Sequence, residues 1–87
     1  MFSKRSNPLN IEDIFGAVLR RYRKLRNLSQ EELALQSNLD RTYISLLETG
    51  KRSPTINTLF AVCETLNIKP SDLIKEVENE YKKYNIF

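Results

Sequence analysis

The sequence has few of the residues on which enzyme and metal sites depend. Its 87 residues include no histidine, so the commonest metal ligand and general base is absent, and a single cysteine, Cys63, which excludes an internal disulfide. Only two glycines are present, and neither belongs to a glycine-rich phosphate-binding loop. No pairing of a nucleophile with a base is visible. We therefore expect a protein that is not an enzyme and that needs neither a metal nor a cofactor.

Long hydrophobic runs are also missing. No apolar stretch approaches the roughly 20 residues that a membrane-spanning helix requires. The N-terminal residues MFSKRSNPL carry charge but are followed by no apolar segment, which argues against a secretory signal. We expect a cytoplasmic protein of one domain with no membrane partner.

Positive charge is concentrated in the first part of the chain. Residues 1–52 contain ten Lys or Arg and six Asp or Glu, a net charge of +4, whereas residues 53–87 contain four and five, a net charge of −1. Such an uneven distribution suggests a polyanionic partner that contacts only part of the surface. Aromatic stacking motifs of the kind that bind RNA are not seen, so RNA is a weak candidate.

Hydrophobic periodicity predicts five helices and no strand. Cap and turn residues place them at about 10–26, 29–38, 40–50, 55–67, and from 70 almost to the end of the chain. Three of the helices carry long apolar stripes. These are Ile11, Ile14, Phe15, Val18, Leu19, Tyr22 and Leu25 in the first, Ile56, Leu59, Val62, Cys63 and Leu66 in the fourth, and Leu73, Ile74, Val77, Tyr81 and Tyr84 in the fifth.

The segment from Gln30 to Thr49 meets the mechanical requirements of a helix-turn-helix. Ala34 is small where two helices must approach, Asn38 occupies the turn, and Ile44 fills the angle between the helices. We therefore divide the chain into a flexible N-terminal arm (1–9), a helix-turn-helix domain (10–74) and a C-terminal helix extension (75–87).

Residues 15–74 resemble the phage-repressor and Xre family of helix-turn-helix domains. The combination of LSQEELA, a turn, YIS and GKRSP carries the resemblance, and LDRTYIS is also similar to the controller proteins of restriction–modification systems. The resemblance implies an all-α, five-helix phage-repressor-like domain with an extended C-terminal helix. It also implies a partly buried salt bridge between Arg23 and Glu48. Asn27 and Asn38 stand where glycine is commoner in the family, but asparagine also accepts positive φ.

An exposed third helix of this kind can enter the major groove of DNA. Its leading face contains Arg41, which can donate two hydrogen bonds to a guanine, a contact worth about 1–3 kcal/mol of discrimination. Gln30 resembles the phosphate-binding glutamine of the family, and a basic loop follows the helix. The predicted DNA-binding residues are Gln30, Arg41, Thr42, Tyr43, Ser45, Leu46, Lys51 and Arg52.

The apolar stripe of the fifth helix has two interpretations. It either covers the domain's own core or pairs with a second copy across a two-fold axis, and we favour the homodimer. The predicted dimer interface consists of Leu73, Val77, Tyr81 and Tyr84.

The function predicted from these features is sequence-specific regulation of transcription. The homodimer would bind an inverted-repeat operator in double-stranded DNA and would act by occluding RNA polymerase or by contacting it. Narrower alternatives are a restriction–modification controller and an antitoxin that represses its own operon. An alternative of another class is a protein-interaction module without DNA binding.

Overall fold

Five α-helices make up the computed structural model, which describes residues 10–84. No strand occurs within that range, so the all-α prediction is confirmed. The predicted arm and the last three residues of the predicted extension lie outside the described residues. The helices are α1 (Ile11–Leu25), α2 (Gln30–Gln36), α3 (Arg41–Glu48), α4 (Ile56–Leu66) and α5 (Pro70–Tyr84).

Side-chain caps start three of the helices. The Asn10 side chain accepts a hydrogen bond from the backbone N–H of Asp13 at the start of α1. Ser29 and Glu32 form a capping box, in which each side chain accepts from the other's backbone N–H, at 3.0 and 2.7 Å. Thr55 caps α4. Asp40 occupies the N-cap of α3, but its side chain makes no cap hydrogen bond.

Left-handed residues end the turns between helices. Asn27 and Asn38, which replace the commoner glycine, have φ values of 58° each, and Asn67 has a φ of 56°. Asparagine tolerates this region better than most residues because its short polar side chain bonds locally. The two asparagines therefore preserve the turns, as predicted from the sequence.

The core lies where α1 packs on α3 and α5, and α2 on α3. Its fully buried side chains include Leu19, Leu33 and Ile44, one from each of the first three helices. Five residues that we assign to apolar stripes are instead exposed, by 46, 64, 70, 44 and 51%: Ile11, Leu25, Ile56, Ile74 and Tyr84. Four of these residues lie in the first or last turn of a helix, and Ile74 lies about 100° around α5 from buried Leu73, so each is at the margin of its stripe.

Gly16 lies where the backbones of α1 and α3 approach closely. A β-carbon at this position would lie 2.6 Å from the carbonyl oxygen of Glu48 and nearer still to that of Leu47. Alanine improves helix propensity by about 1 kcal/mol, but these atoms are backbone and cannot rotate away. We expect Gly16→Ala to lower the free energy of unfolding by about 1–3 kcal/mol, because α1 and α3 must separate. Urea denaturation measures the loss, and an unchanged or stabilised variant would contradict the close approach.

Cys63 is fully buried in α4, where burial raises the pKa of its thiol from 9.0 to about 11. The thiolate is the reactive form, so we expect native protein to resist iodoacetamide at pH 8 and urea-unfolded protein to react. Since folding raises this pKa, the stability that the neutral thiol contributes is complete below pH 9 and is lost as the pH rises through about 11. Mass spectrometry measures the alkylation, and rapid labelling of the native protein would contradict the burial.

Candidate DNA-binding surface

The α2–α3 pair has the geometry of a helix-turn-helix. The turn between the helices comprises residues 37–40. Ala34 is buried at the contact, its carbonyl accepts from the backbone N–H of Leu39 at 2.8 Å, and the Ile44 side chain is fully buried behind the turn. The roles predicted for Ala34, Asn38 and Ile44 are therefore confirmed.

The helix α3 presents its predicted leading face outward. Ile44, Leu47 and Glu48 are buried, which turns the opposite side of the helix to solvent. Arg41 and Thr42 are exposed in the first turn, and Ser45 and Leu46 are half-buried in the next. The Arg41 side chain has no hydrogen bond or ion pair with any other residue in the range 10–84. Its guanidinium is therefore available to an external acceptor.

The basic loop folds back on the C-terminal end of α3. The backbone N–H groups of Lys51 and Arg52 both donate to the carbonyl of Leu46, at 2.9 and 3.3 Å. The Arg52 guanidinium lies 5.6 Å from the centre of the Tyr43 ring, within range of a cation–π contact. The Tyr43 hydroxyl is 3.3 Å from the Thr58 hydroxyl of α4. Tyr43 therefore connects the basic loop, α3 and α4, a connection that sequence spacing does not reveal.

A buried ion pair fixes the orientation of α3. The Glu48 carboxylate, whose side chain is 2% exposed, accepts two hydrogen bonds from Arg23 of α1, at 2.6 and 3.0 Å. This hydrogen bonding raises the pKa of Arg23. Arg23 also donates to the carbonyl of Leu28 at 2.8 Å. The salt bridge implied by the family resemblance is therefore confirmed.

Gln30 takes part in the same network. Its side-chain amide nitrogen donates to Glu48 at 3.0 Å, so α2 joins α1 and α3 around one carboxylate. Gln30 is half-buried at the start of α2, and its predicted contact with a phosphate stays a prediction. The structure gives Gln30 a positioning role, because its hydrogen bond to Glu48 holds α2 against α3.

The predicted dimer interface is wrong for two of its four residues. Leu73 is fully buried and Val77 is 4% exposed, and both belong to the core of the same chain. Tyr81 is half-buried, and Tyr84 is 51% exposed. The stripe thus mainly covers the domain's own core, which is the alternative that the sequence leaves open.

The helix α5 is fastened to α1 by polar contacts as well. The Glu76 carboxylate accepts hydrogen bonds from the side chains of Arg21 and Tyr22. The hydrogen bond to Glu76, with burial as the next cause, raises the pKa of Tyr22. These contacts cross from the middle of α5 to α1 of the same chain and add to the apolar packing between the two helices.

Two kinds of site are not found in residues 10–84. No helix there is both long enough and apolar enough to cross a membrane. No group of three or more cysteine, aspartate or glutamate side chains in the same range is arranged to hold a metal ion.

A short helix, a tight turn and a second helix with a free leading face beside a basic loop define a helix-turn-helix DNA-binding protein. Residues 19–73 match a family model described as helix-turn-helix. The chain belongs to the Xre-type helix-turn-helix family and is a DNA-binding transcriptional regulator.

Control proteins are prominent among the similar chains. Control protein C.MunI of Mycoplasma sp is 42% identical over 67 residues, covering 76% of this chain and 90% of that protein. Control protein C.SmaI of Serratia marcescens is 39% identical over 66 residues, covering 76% and 79%. The crystal structure of the restriction–modification controller protein C.Esp1396I tetramer, in complex with its natural 35-base-pair operator, matches with a TM-score of 0.75 and 30% identity, covering 84% and 96%. The resemblance stated from the sequence is confirmed.

Proposed function

We propose that this chain is a homodimeric controller of restriction–modification genes that recognises an inverted-repeat operator in double-stranded DNA. The observation that carries the proposal is the free leading face of α3 beside the basic loop. Similarity to control proteins over most of both chains favours the controller over an antitoxin. A protein-interaction module would not require an exposed arginine at this position.

Recognition of bases is assigned to the outer face of α3. Arg41 stands at the first position of the helix, where side chains reach base edges when a recognition helix enters the major groove. Its guanidinium fork matches the N7 and O6 acceptors of guanine. Thr42 and Ser45 offer hydroxyls to the same row of bases, and Leu46 offers an apolar contact to a thymine methyl group.

Contact with the phosphate backbone is assigned to the residues that flank this face. Lys51 and Arg52 are exposed at the C-terminal end of α3, and the Arg52 guanidinium is in cation–π contact with the Tyr43 ring. Gln30 flanks the other end of the helix pair. Lysine and arginine contacts of this kind release counterions, so operator affinity falls steeply as salt rises.

Two copies are needed to match an inverted repeat. A symmetric dimer places its recognition helices about 34 Å apart, one turn of B-DNA, so each half-site is read by one copy. Binding near a promoter then affects transcription by occluding RNA polymerase or by contacting it. The protein would act in the cytoplasm, where the genes that it controls are transcribed.

Selection of bound sequences from a random DNA pool tests this function. We expect enrichment of two half-sites related by a two-fold axis, with their centres about 10 base pairs apart. A footprint on the selected sequence should cover both half-sites. Failure to enrich any sequence would overturn specific recognition, and enrichment of one unrepeated site would overturn the dimer.

A further inference from the structure

Thr58 is a buried polar residue whose hydroxyl does not bond to the backbone of the helix that carries it. It lies in the first turn of α4 and is 7% exposed. Within residues 10–84, its hydroxyl bonds only to two other side-chain hydroxyls, those of Thr55 and Tyr43. Buried polar groups are costly unless they are paired, and a chain of paired hydroxyls orients each of its members. The hydroxyl of Thr58 therefore acts on its two neighbours.

Thr55 sets the direction of this chain of hydrogen bonds. As the cap of α4, its hydroxyl oxygen accepts from the backbone N–H of Thr58 at 3.1 Å. Its own proton is donated to the Thr58 hydroxyl oxygen, also at 3.1 Å. The single proton of the Thr58 hydroxyl is thus left to be donated. The Tyr43 hydroxyl oxygen, 3.3 Å away, is the acceptor that the described part of the chain provides.

We propose that Thr58 is a positioning residue for DNA binding, which donates to the Tyr43 hydroxyl so that Tyr43 donates its own proton to a phosphate oxygen of the operator. A phenolic hydroxyl has one proton, and an oxygen that accepts from Thr58 keeps this proton for another acceptor. No residue among 10–84 takes it. The inference rests on the proposed function and deepens it, because Thr58 sets a contact with DNA without reaching DNA.

The surroundings of Tyr43 favour a phosphate over a base as the acceptor. The exposed Arg52 guanidinium lies 5.6 Å from the centre of the Tyr43 ring, and Lys51 precedes it in the basic loop. These two cations attract the phosphate backbone to this side of α3. Tyr43 itself lies about 100° around α3 from Thr42, away from the centre of the face assigned to bases. Hydroxyls of tyrosine commonly donate to phosphate oxygens in complexes with DNA.

The ring of Tyr43 is held in place without help from Thr58. It is half-buried and packs against the hydrophobic core, and Arg52 covers it from the side of the loop. Packing does not determine where the hydroxyl proton points, because rotation about the C–O bond leaves the ring contacts unchanged. Thr58 fixes this remaining rotation. A donor that is oriented beforehand loses little conformational freedom when it binds its acceptor.

Thr58→Val tests the proposal, because it replaces the hydroxyl with a methyl group. We expect affinity for the operator to fall by about 2- to 10-fold per half-site, the factor that one neutral hydrogen bond supplies. Thr58→Ser should restore the wild-type affinity. The matched control is Thr65→Val, which removes another α4 hydroxyl, 2.8 Å from that of Ser37, and should leave the affinity unchanged. Wild-type affinity for Thr58→Val, or equal losses for the two valine variants, would overturn the inference.

A double-mutant cycle shows whether Thr58 acts through Tyr43. Tyr43→Phe removes the phenolic hydroxyl and keeps the ring, so adding Thr58→Val to it should cause no further loss of affinity. Fluorescence anisotropy measures each affinity, and urea denaturation verifies that the variants are folded. Additive losses from the two substitutions would show that Thr58 acts by another route and would overturn the inference.

The salt dependence of binding distinguishes this effect from a disturbance of the basic loop. Thr58→Val removes no charge, so the slope of log K against log salt should stay that of the wild type. Arg52→Ala, in contrast, should reduce the slope by about one unit. A reduced slope for Thr58→Val would assign its effect to a displaced Arg52 and would contradict the proposed role of the Tyr43 proton.

Operators with one neutral methylphosphonate link at a time identify the acceptor. We expect one position in each half-site at which wild-type protein loses its advantage over Tyr43→Phe and over Thr58→Val. An advantage that survives at every position would exclude a phosphate and overturn the inference. If wild-type protein selects no sequence from the random pool, the proposed function fails. If it prefers its operator and both variants bind that operator equally well, the proposed function stands and this inference is overturned.

Discussion

Replacing Arg41 with alanine is expected to lower affinity for the selected operator by about 5- to 150-fold, the equivalent of about 1–3 kcal/mol. The exposed guanidinium at the start of α3 is the only proposed contact that can make two hydrogen bonds to one base. Its removal should also relax the preference for guanine at one position of each half-site. Fluorescence anisotropy with operator and single-base variants measures both effects.

Two other arginines provide the comparison. Arg20→Ala alters an exposed residue on α1 outside the proposed surface and should leave binding unchanged. Arg52→Ala should weaken binding to all sequences alike and reduce the salt dependence of log K by about one unit of slope, because it would remove the proposed phosphate contact. If Arg41→Ala behaves like Arg20→Ala, the assignment of base recognition to this face is wrong.

Local signals in the sequence were sufficient to predict the helices. Ser29 and Glu32 interact within one turn of helix, so their capping box can be identified from spacing alone. The turns at Asn27 and Asn38 depend on a conformation that each asparagine can adopt in its own backbone. Such features do not need knowledge of the tertiary contacts, which is why the number and order of the helices were predicted correctly.

Periodicity could not show what covers an apolar stripe. Leu73 and Ile74 are neighbours in the sequence, yet one is fully buried and the other 44% exposed. Ile56 fits the stripe of α4 by spacing and is the most exposed of its members. Whether such a residue faces its own core, solvent or a second copy depends on how neighbouring helices are placed. Sequence spacing within one helix carries no information on that placement.

Only part of the candidate site could be predicted from the sequence, for a similar reason. The exposure of Arg41 follows from the helix-turn-helix pattern and its short-range periodicity. The hydrogen bond between Gln30 and Glu48 and the contact of Arg52 with the Tyr43 ring join residues 18 and 9 positions apart in the sequence. Neither separation is a helical spacing, so these positioning contacts became visible only when the chain was folded.

The buried ion pair at the centre of these contacts should have a large effect on stability. Arg23→Met removes one partner and leaves the Glu48 carboxylate, 2% exposed, with Gln30 as its remaining side-chain donor. Breaking a buried pair in this way costs about 3–5 kcal/mol, because a charge stays buried without its counter-ion. Urea denaturation should show a loss of this size. The loss is a large share of the 5–15 kcal/mol that stabilises a typical small domain.

Two further variants test whether burial, and not the loss of a positive charge, causes the loss of stability. Arg21→Ala breaks the salt bridge between Arg21 and Glu76, whose two side chains are 46% and 40% exposed. The free energy of unfolding should fall by less than about 1 kcal/mol. The double variant Arg23→Met with Glu48→Leu removes both charges and should be more stable than Arg23→Met alone. Equal losses of stability for Arg21→Ala and Arg23→Met would show that burial is not the cause.

The same ion pair joins α1, through Arg23, to α3, through Glu48. Loosening it also frees α3, so Arg23→Met should weaken operator binding even at urea concentrations below its unfolding transition.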